Sequence, residues 1–214
     1  MKILNTEQED YHVHSSNFSD SWNSVDEVVK YAGSIGMKKI VFCDHSQACL
    51  NYHKMSKRVF RSAIYRWKNV HNDVDVSFGV EADLLNSDGD ICSHIDGVEG
   101  DFIILSYHDD VYSGKDVVEG FLKAIDRFHE KIDLIGHVCC GISTEGALRI
   151  IQQANKYNIP CELNAKYFEK YPDVWDVLFK NADSIYVNSD AHVLNDLRDL
   201  RKNAFKRLKE LGYV

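Results

Sequence analysis

Short apolar runs alternate along the chain with stretches in which apolar positions recur every three or four residues. The runs "EDYHVH", "KKIVFCDH", "DVSFGVEADLL", "GDFIILSYHD", "IDLIGHV", "IPCELN" and "ADSIYVNSDAH" are short and nearly continuous, as expected of strands buried on both faces of a parallel sheet. Between them lie helical spacings. Ser24 with Glu27 forms a capping box ahead of Val25, Val28, Val29 and Ala32, with Gly33 and Gly36 beyond. Met55, Val59, Ala63 and Trp67 predict a second helix, and Val117, Val118, Phe121, Leu122, Ile125 and Phe128 a third. Leu148, Ile151 and Ala154 mark another, a short helix is expected near Val174 to Phe179, and Leu197, Leu200, Ala204, Phe205, Leu208 and Leu211 share one face of a last one. Strands alternating with helices imply parallel pairing through right-handed crossovers. Seven such strands without a Pro-, Gly- or Ser-rich linker predict one α/β domain over 1–214, a distorted seven-stranded barrel. A doubly wound open sheet is the alternative, because periodicity does not reveal closure.

Composition narrows the partners. The 214 residues carry a formal net charge of −8, which argues against a general nucleic-acid coat or an anionic-membrane binder. No apolar run approaches a membrane span, and "MKILNTEQED" turns acidic too early for a signal peptide, so a cytoplasmic protein is expected. The six cysteines are scattered and read as free thiols rather than a disulfide framework.

The candidate chemistry lies where strands end. Residues two apart on a strand point the same way, so His12 and His14 present two imidazoles together. Alone, His-x-His is commonly a surface pair. Here His45, His108, His137 and His192 also fall at or just after strand carboxyl ends, as do Asp20, Glu81 and Asp190. In parallel α/β folds those ends converge on the face where active sites are built. The nitrogen and oxygen donors suit two or three divalent ions such as Zn, Mn or Fe.

The ordered series "YHVHSSNFSDS", "FCDHS", "FGVEADLL", "DFIILSYHD", "DLIGHV", "CELNAK" and "VNSDAH" resembles the polymerase and histidinol phosphatase (PHP) family of metal-dependent phosphoesterases, its histidinol-phosphatase branch most of all. The resemblance implies a trinuclear site in a PHP-type (β/α)7 barrel. His12, His14, Glu81 and Asp190 would hold one ion. Glu81 would bridge to a second held by His108 and His137, and Asp20, His45 and His192 would hold a third. Relatives carry histidine or aspartate where Asp20 stands. Glu81, Asp190 and His192 would be the catalytic group, hydrolysing a small phosphorylated substrate such as L-histidinol phosphate through a metal-activated hydroxide.

Two positions depart from that branch. Relatives usually carry a phosphate-gripping arginine after the "ELN" strand, whereas here "NAKYFEKYP" offers Lys166 or, in reserve, Lys170, neither with the bidentate fork of arginine. "GHVCC" lacks the aspartate often found two residues beyond the histidine. Asp44 and Asp109, each next to a proposed ligand, either orient imidazoles or face solvent. Two rival readings use the same ligands: a PHP nuclease, with Lys54, Lys57, Arg58, Arg61 and Lys68 along one helix, and a noncatalytic metal-stabilised binding domain. A solvated outer face opposite Met55, Val59, Ala63 and Trp67 is the preferred reading of that basic helix. The sequence leaves the oligomeric state open.

Overall fold

The capping box forms as its spacing predicts. Ser24 accepts from the Glu27 backbone while the Glu27 carboxylate accepts from Ser24, and Val25, Val28, Val29 and Ala32 turn inward. The structure is a computed structural model and describes residues 1–55 and 59–213. In chain order the elements are β1 (Lys2–Ile3), β2 (Glu9–Val13), α1 (Val25–Ser34), β3 (Lys39–His45), α2 (Gln47–Tyr52), α3 (Phe60–Arg66), β4 (Asp75–Leu84) and β5 (Ile91–Cys92). There follow β6 (Ile103–Ser106), α4 (Val117–Phe128), β7 (Leu134–Ile135), α5 (Thr144–Lys156), β8 (Cys161–Asn164), α6 (Pro172–Asn181), β9 (Ser184–Asn188) and α7 (Leu194–Glu210).

All seven expected strands are present, but the count is nine among the described residues. The added β1 and β5 have two residues each, too few to show periodicity. β5 folds back antiparallel on β4, and β1 lies parallel to β9. The order β1-β9-β8-β7-β6-β4-β3-β2 carries the seven expected strands side by side in chain sequence. A doubly wound sheet reverses its order at a switch point. This one does not, so it curls into a barrel-like α/β fold. At the seam β1 takes the lower edge of β9, while above it Val13 bridges to Ala191 and the His14 amide donates to the Ala191 carbonyl.

One expected helix is corrected. Met55, Val59, Ala63 and Trp67 do not share a helix: α2 begins at the Ser46 cap and ends before Lys54, whose φ of 55° breaks the turn, and α3 begins only at Phe60. Lys57 and Arg58 of the proposed basic stripe lie outside the described residues.

Inside the barrel, positions two apart climb from apolar to polar toward the carboxyl ends. On β3 the series is Val41, Cys43, His45; on β6 it leads from Ile104 through Ser106 to His108; on β9 it runs Tyr186, Asn188, Asp190. Val41, Cys43, Ile104 and Leu134 plug the floor, with Tyr11, Phe102 and Tyr186 packed against them. A register shift between Asp10 and Val13 interrupts strict alternation on β2, so Tyr11 reaches this floor while His12 and His14 enter the layer above. Two larger apolar cores, one under α4, α5 and α6 and one under α1 and α3, hold the sheet from outside.

Candidate metal centre

Glu81, almost fully buried at the centre of the rim, has its two carboxylate oxygens ringed by imidazoles. His137 Nε2 stands 2.8 Å away, His45 Nδ1 3.0 Å, His12 Nε2 3.4 Å, and His14 and His108 Nε2 3.5 Å each. His14 Nε2 is also 3.3 Å from Asp190 Oδ1. Asp20 Oδ1 stands 3.2 Å from His192 Nε2 and 3.5 Å from His45 Nε2. All nine residues singled out at strand ends thus meet in one cluster. Three groups bring their ligand atoms within reach of a single ion: His12, His14 and Glu81; His45, Glu81 and His108; and His14, Asp20, His45 and His192.

The tautomers follow from partners behind the rings. Glu162 accepts from His12 Nδ1 at 2.8 Å, Asp83 from His108 Nδ1 at 2.6 Å, and the Asp190 carbonyl from His192 Nδ1 at 2.9 Å. Each leaves Nε2 as the ring nitrogen turned into the cluster. His12 and His14 then bring two Nε2 atoms within 3.1 Å of each other. Two lone pairs repel at that distance unless a cation or proton lies between them. His45 Nδ1 is buried without a hydrogen bond although it faces Glu81. Ring nitrogens and carboxylate oxygens converging this closely fit divalent ions.

Charge balance points the same way. Burial works to raise the Glu81 carboxyl, but His12, His108 and His45 outweigh it and hold it well below the usual carboxylate range. Burial also opposes protonation of His12 and His108, yet Glu162 beside the first and Glu81 beside the second hold both well above the usual imidazole value. His14 goes the other way, lowered by burial and by His192. The buried carboxylates are therefore balanced by imidazolium protons, which a bound cation would replace.

The backing residues escape a reading of strand ends. Glu162 is fully buried, and besides His12 it accepts from the His137 amide, Asn164 and Asn188. Asp83 also accepts from Ser46 Oγ. Both stand two residues from a partner on the same strand face, Glu162 from Asn164 and Asp83 from Glu81, and that spacing was the available signal. Asp44 neither faces solvent nor orients an imidazole. It is buried, accepts from the amide and hydroxyl of Ser15, and burial pushes its carboxyl up to about 7. Asp109 is exposed at the rim. Asp190 adopts φ 53°, a left-handed conformation uncommon for a non-glycine residue and typical of functional sites.

Above the cluster lies a cavity of about 500 Å³, walled by Tyr107, Asp109, Cys140, Gly141, Lys166 and Tyr167. Lys166 reaches in, its Nζ 3.6 Å from Asp190 Oδ2. Lys170 does not line the cavity: it is exposed, with Nζ over the rings of Tyr167 and Tyr171.

Fold and cluster together define a class: an α/β barrel with a carboxylate-bridged, imidazole-rich centre at the carboxyl rim, suited to divalent cations. The chain belongs to the PHP domain family, whose profile matches residues 10–211. It is 25% identical over 208 residues to a "Probable phosphatase" of Shewanella piezotolerans, covering 90% of this chain and 81% of that one. It is 26% identical over 167 residues to a "Probable phosphatase" of Yersinia pestis, covering 74% and 64% respectively. In fold it is similar to the histidinol phosphate phosphatase of Lactococcus lactis, solved with zinc, L-histidinol and phosphate, at TM-score 0.61 and 19% identity over 97% of this chain and 95% of that one.

Proposed function

We propose that the protein is a metal-dependent phosphomonoesterase acting on a small ester, with L-histidinol phosphate the first candidate. The observation that carries the reading is the set of imidazole and carboxylate ligand atoms beneath a cavity with Lys166 at its wall. His12, His14, Glu81 and Asp190 would hold one ion, Glu81 with His108 and His137 a second, and Asp20, His45 and His192 a third. Zn, Mn and Fe all suit these donors. When bound, the ions supply Lewis acidity and neutralise phosphoryl charge.

The chain's own groups do the rest. Lys166 meets the phosphate as a point charge, already poised beside Asp190. Glu81, Asp190 and His192 fix the geometry against which the ester is held. Tyr107 and Tyr167 wall the cavity, and Asp109 places a carboxylate at the rim where a cationic alcohol would leave. The relatives called phosphatases and the zinc-containing structural neighbour support this reading.

The test is hydrolysis of a panel of phosphomonoesters, L-histidinol phosphate included, against a phosphodiester, on protein of measured metal content with and without added Mn or Zn. Metal-dependent monoester turnover is expected. Preference for the diester would favour the nuclease reading, and tight metal without turnover a binding domain. Lys166→Ala should lower kcat/KM roughly ten- to a hundredfold, the worth of a hydrogen bond to a charged group, at unchanged metal content. Unaltered kinetics would remove Lys166 from the site.

A further inference from the structure

Cys139 stands where "GHVCC" lacks the expected aspartate, Cys140 follows it, and neither belongs to the ligand set. Their sulfurs lie 3.9 Å apart. Of the six thiols five are buried, and only Cys140 is partly open. It opens into the cavity above the metal centre. Cys139 is packed in the core beneath α5, at 2% exposure. The pair sits in a tight turn in which the Cys140 amide donates to the His137 carbonyl at 3.1 Å, and Gly141 leaves the turn at φ 68°. Cys140 also lies beside the His137 ring.

We propose that Cys139 and Cys140 form a reversible oxidation site, closed by a hydroperoxide into a vicinal disulfide that displaces His137. The accessible Cys140 sulfur attacks the peroxide, the O–O bond breaks, and Cys140 becomes a sulfenic acid with release of water or an alcohol. Cys139 then attacks the Cys140 sulfur, forming the S–S bond and expelling a second water. Sulfur loses two electrons and the peroxide gains them.

Adjacent residues make this bond a labile one. Their Cα atoms stand about 3.8 Å apart, short of the roughly 4.4 to 6.8 Å that an unstrained disulfide spans. A strained disulfide is readily reduced, so thiols would reopen it. Closing the ring requires the 139–140 peptide to turn, and the turn bond to the His137 carbonyl goes with it. With that bond gone His137 keeps only its amide on Glu162 as a backbone anchor, and its ring, 2.8 Å from Glu81, is held less firmly.

The experiment treats the metal-loaded protein with hydrogen peroxide, blocks free thiols, and reads the tryptic peptide 132–149 by mass, with bound metal measured in parallel. Expected is a peptide short of two hydrogens and unblocked at both cysteines, with metal retention reduced about tenfold or more, and both effects reversed by dithiothreitol. Cys139→Ser should keep basal metal content and give oxygen adducts on Cys140 instead. A peptide that goes only to sulfinic or sulfonic acid, a bond to another chain, or earlier oxidation of the buried thiols would overturn the proposal. A vicinal disulfide that leaves metal retention unchanged would overturn the coupling to His137. That coupling rests on His137 being a ligand, as proposed above. The mass readout does not, so failure of either reading is seen separately.

Discussion

Glu81 touches more of the centre than any other residue, since five imidazoles approach its two oxygens. Glu81→Gln keeps the size and removes the charge, so metal content and turnover are expected to fall together; activity within about twofold, only some 0.4 kcal/mol, would end its bridging role. Glu162 is the subtler case. Its carboxylate orients His12 from behind and holds the His137 amide, so Glu162→Gln is expected to weaken metal affinity about 10- to 100-fold with the fold intact, as read by metal titration and urea unfolding. Glu81 was legible because a carboxylate within a nearly continuous buried run is conspicuous. Glu162 was not, because "CELN" shows the spacing without showing that its polar face lies under the imidazoles. The protons give a further expectation. Burial opposes charge on His137, but Cys140 and Glu81 raise it to about 10, and Glu162 and Glu81 raise His12. A raised imidazole favours the metal-free fold below its unfolded value of about 6.5, and that contribution fades as pH rises through the folded value. Metal competes with those protons, so affinity should rise with pH across this window and binding should release protons. Calorimetric titration in two buffers of different ionisation enthalpy measures the release.

Elements were read best where local chemistry marks both ends. At α1 the Ser24 cap and the apolar stripe agree, and Ser24→Ala is expected to cost about 1 kcal/mol in urea unfolding while leaving the metal content untouched. The α2–α3 region failed for a definable reason. A four-residue spacing from Met55 to Trp67 satisfies helical periodicity, yet Lys54 takes a left-handed conformation and Trp67 leaves α3 to pack edge-on against Phe78 at 5.5 Å. Tertiary packing, not propensity, set that boundary. β1 and β5 were illegible because two residues have no period, and what defines them is a partner strand.

Across the molecule, the feature that sequence could not supply is the seam, where β2 meets β9. Arg201 of α7, at 2% exposure, donates to the carbonyls of Val187, Thr6 and Glu7 and stands 3.7 Å from Asp10. Asp10 in turn accepts from the hydroxyl and amide of Ser189 and the amide of His12, which ties the His-x-His strand to the strand carrying Asp190. Arg201→Met is expected to cost about 3 to 5 kcal/mol, because it removes the cation facing the buried Asp10 carboxylate and the side-chain donor to the Glu7 carbonyl. Urea midpoints of the chelated protein would show it. The seam also fixes when the centre can exist. Asp10 and Ser189 are 179 positions apart in sequence, and contacts that distant close late because the chain must first surrender the entropy of the loop between them. While the chain is being synthesised, His12 and His14 emerge long before Asp190 and His192, and for that interval they are a loose chelating pair with no fixed partners. Capture of a cation in its final coordination thus becomes a signal that folding is complete, and a stopped-flow experiment that follows metal uptake during refolding should find it in the slowest phase.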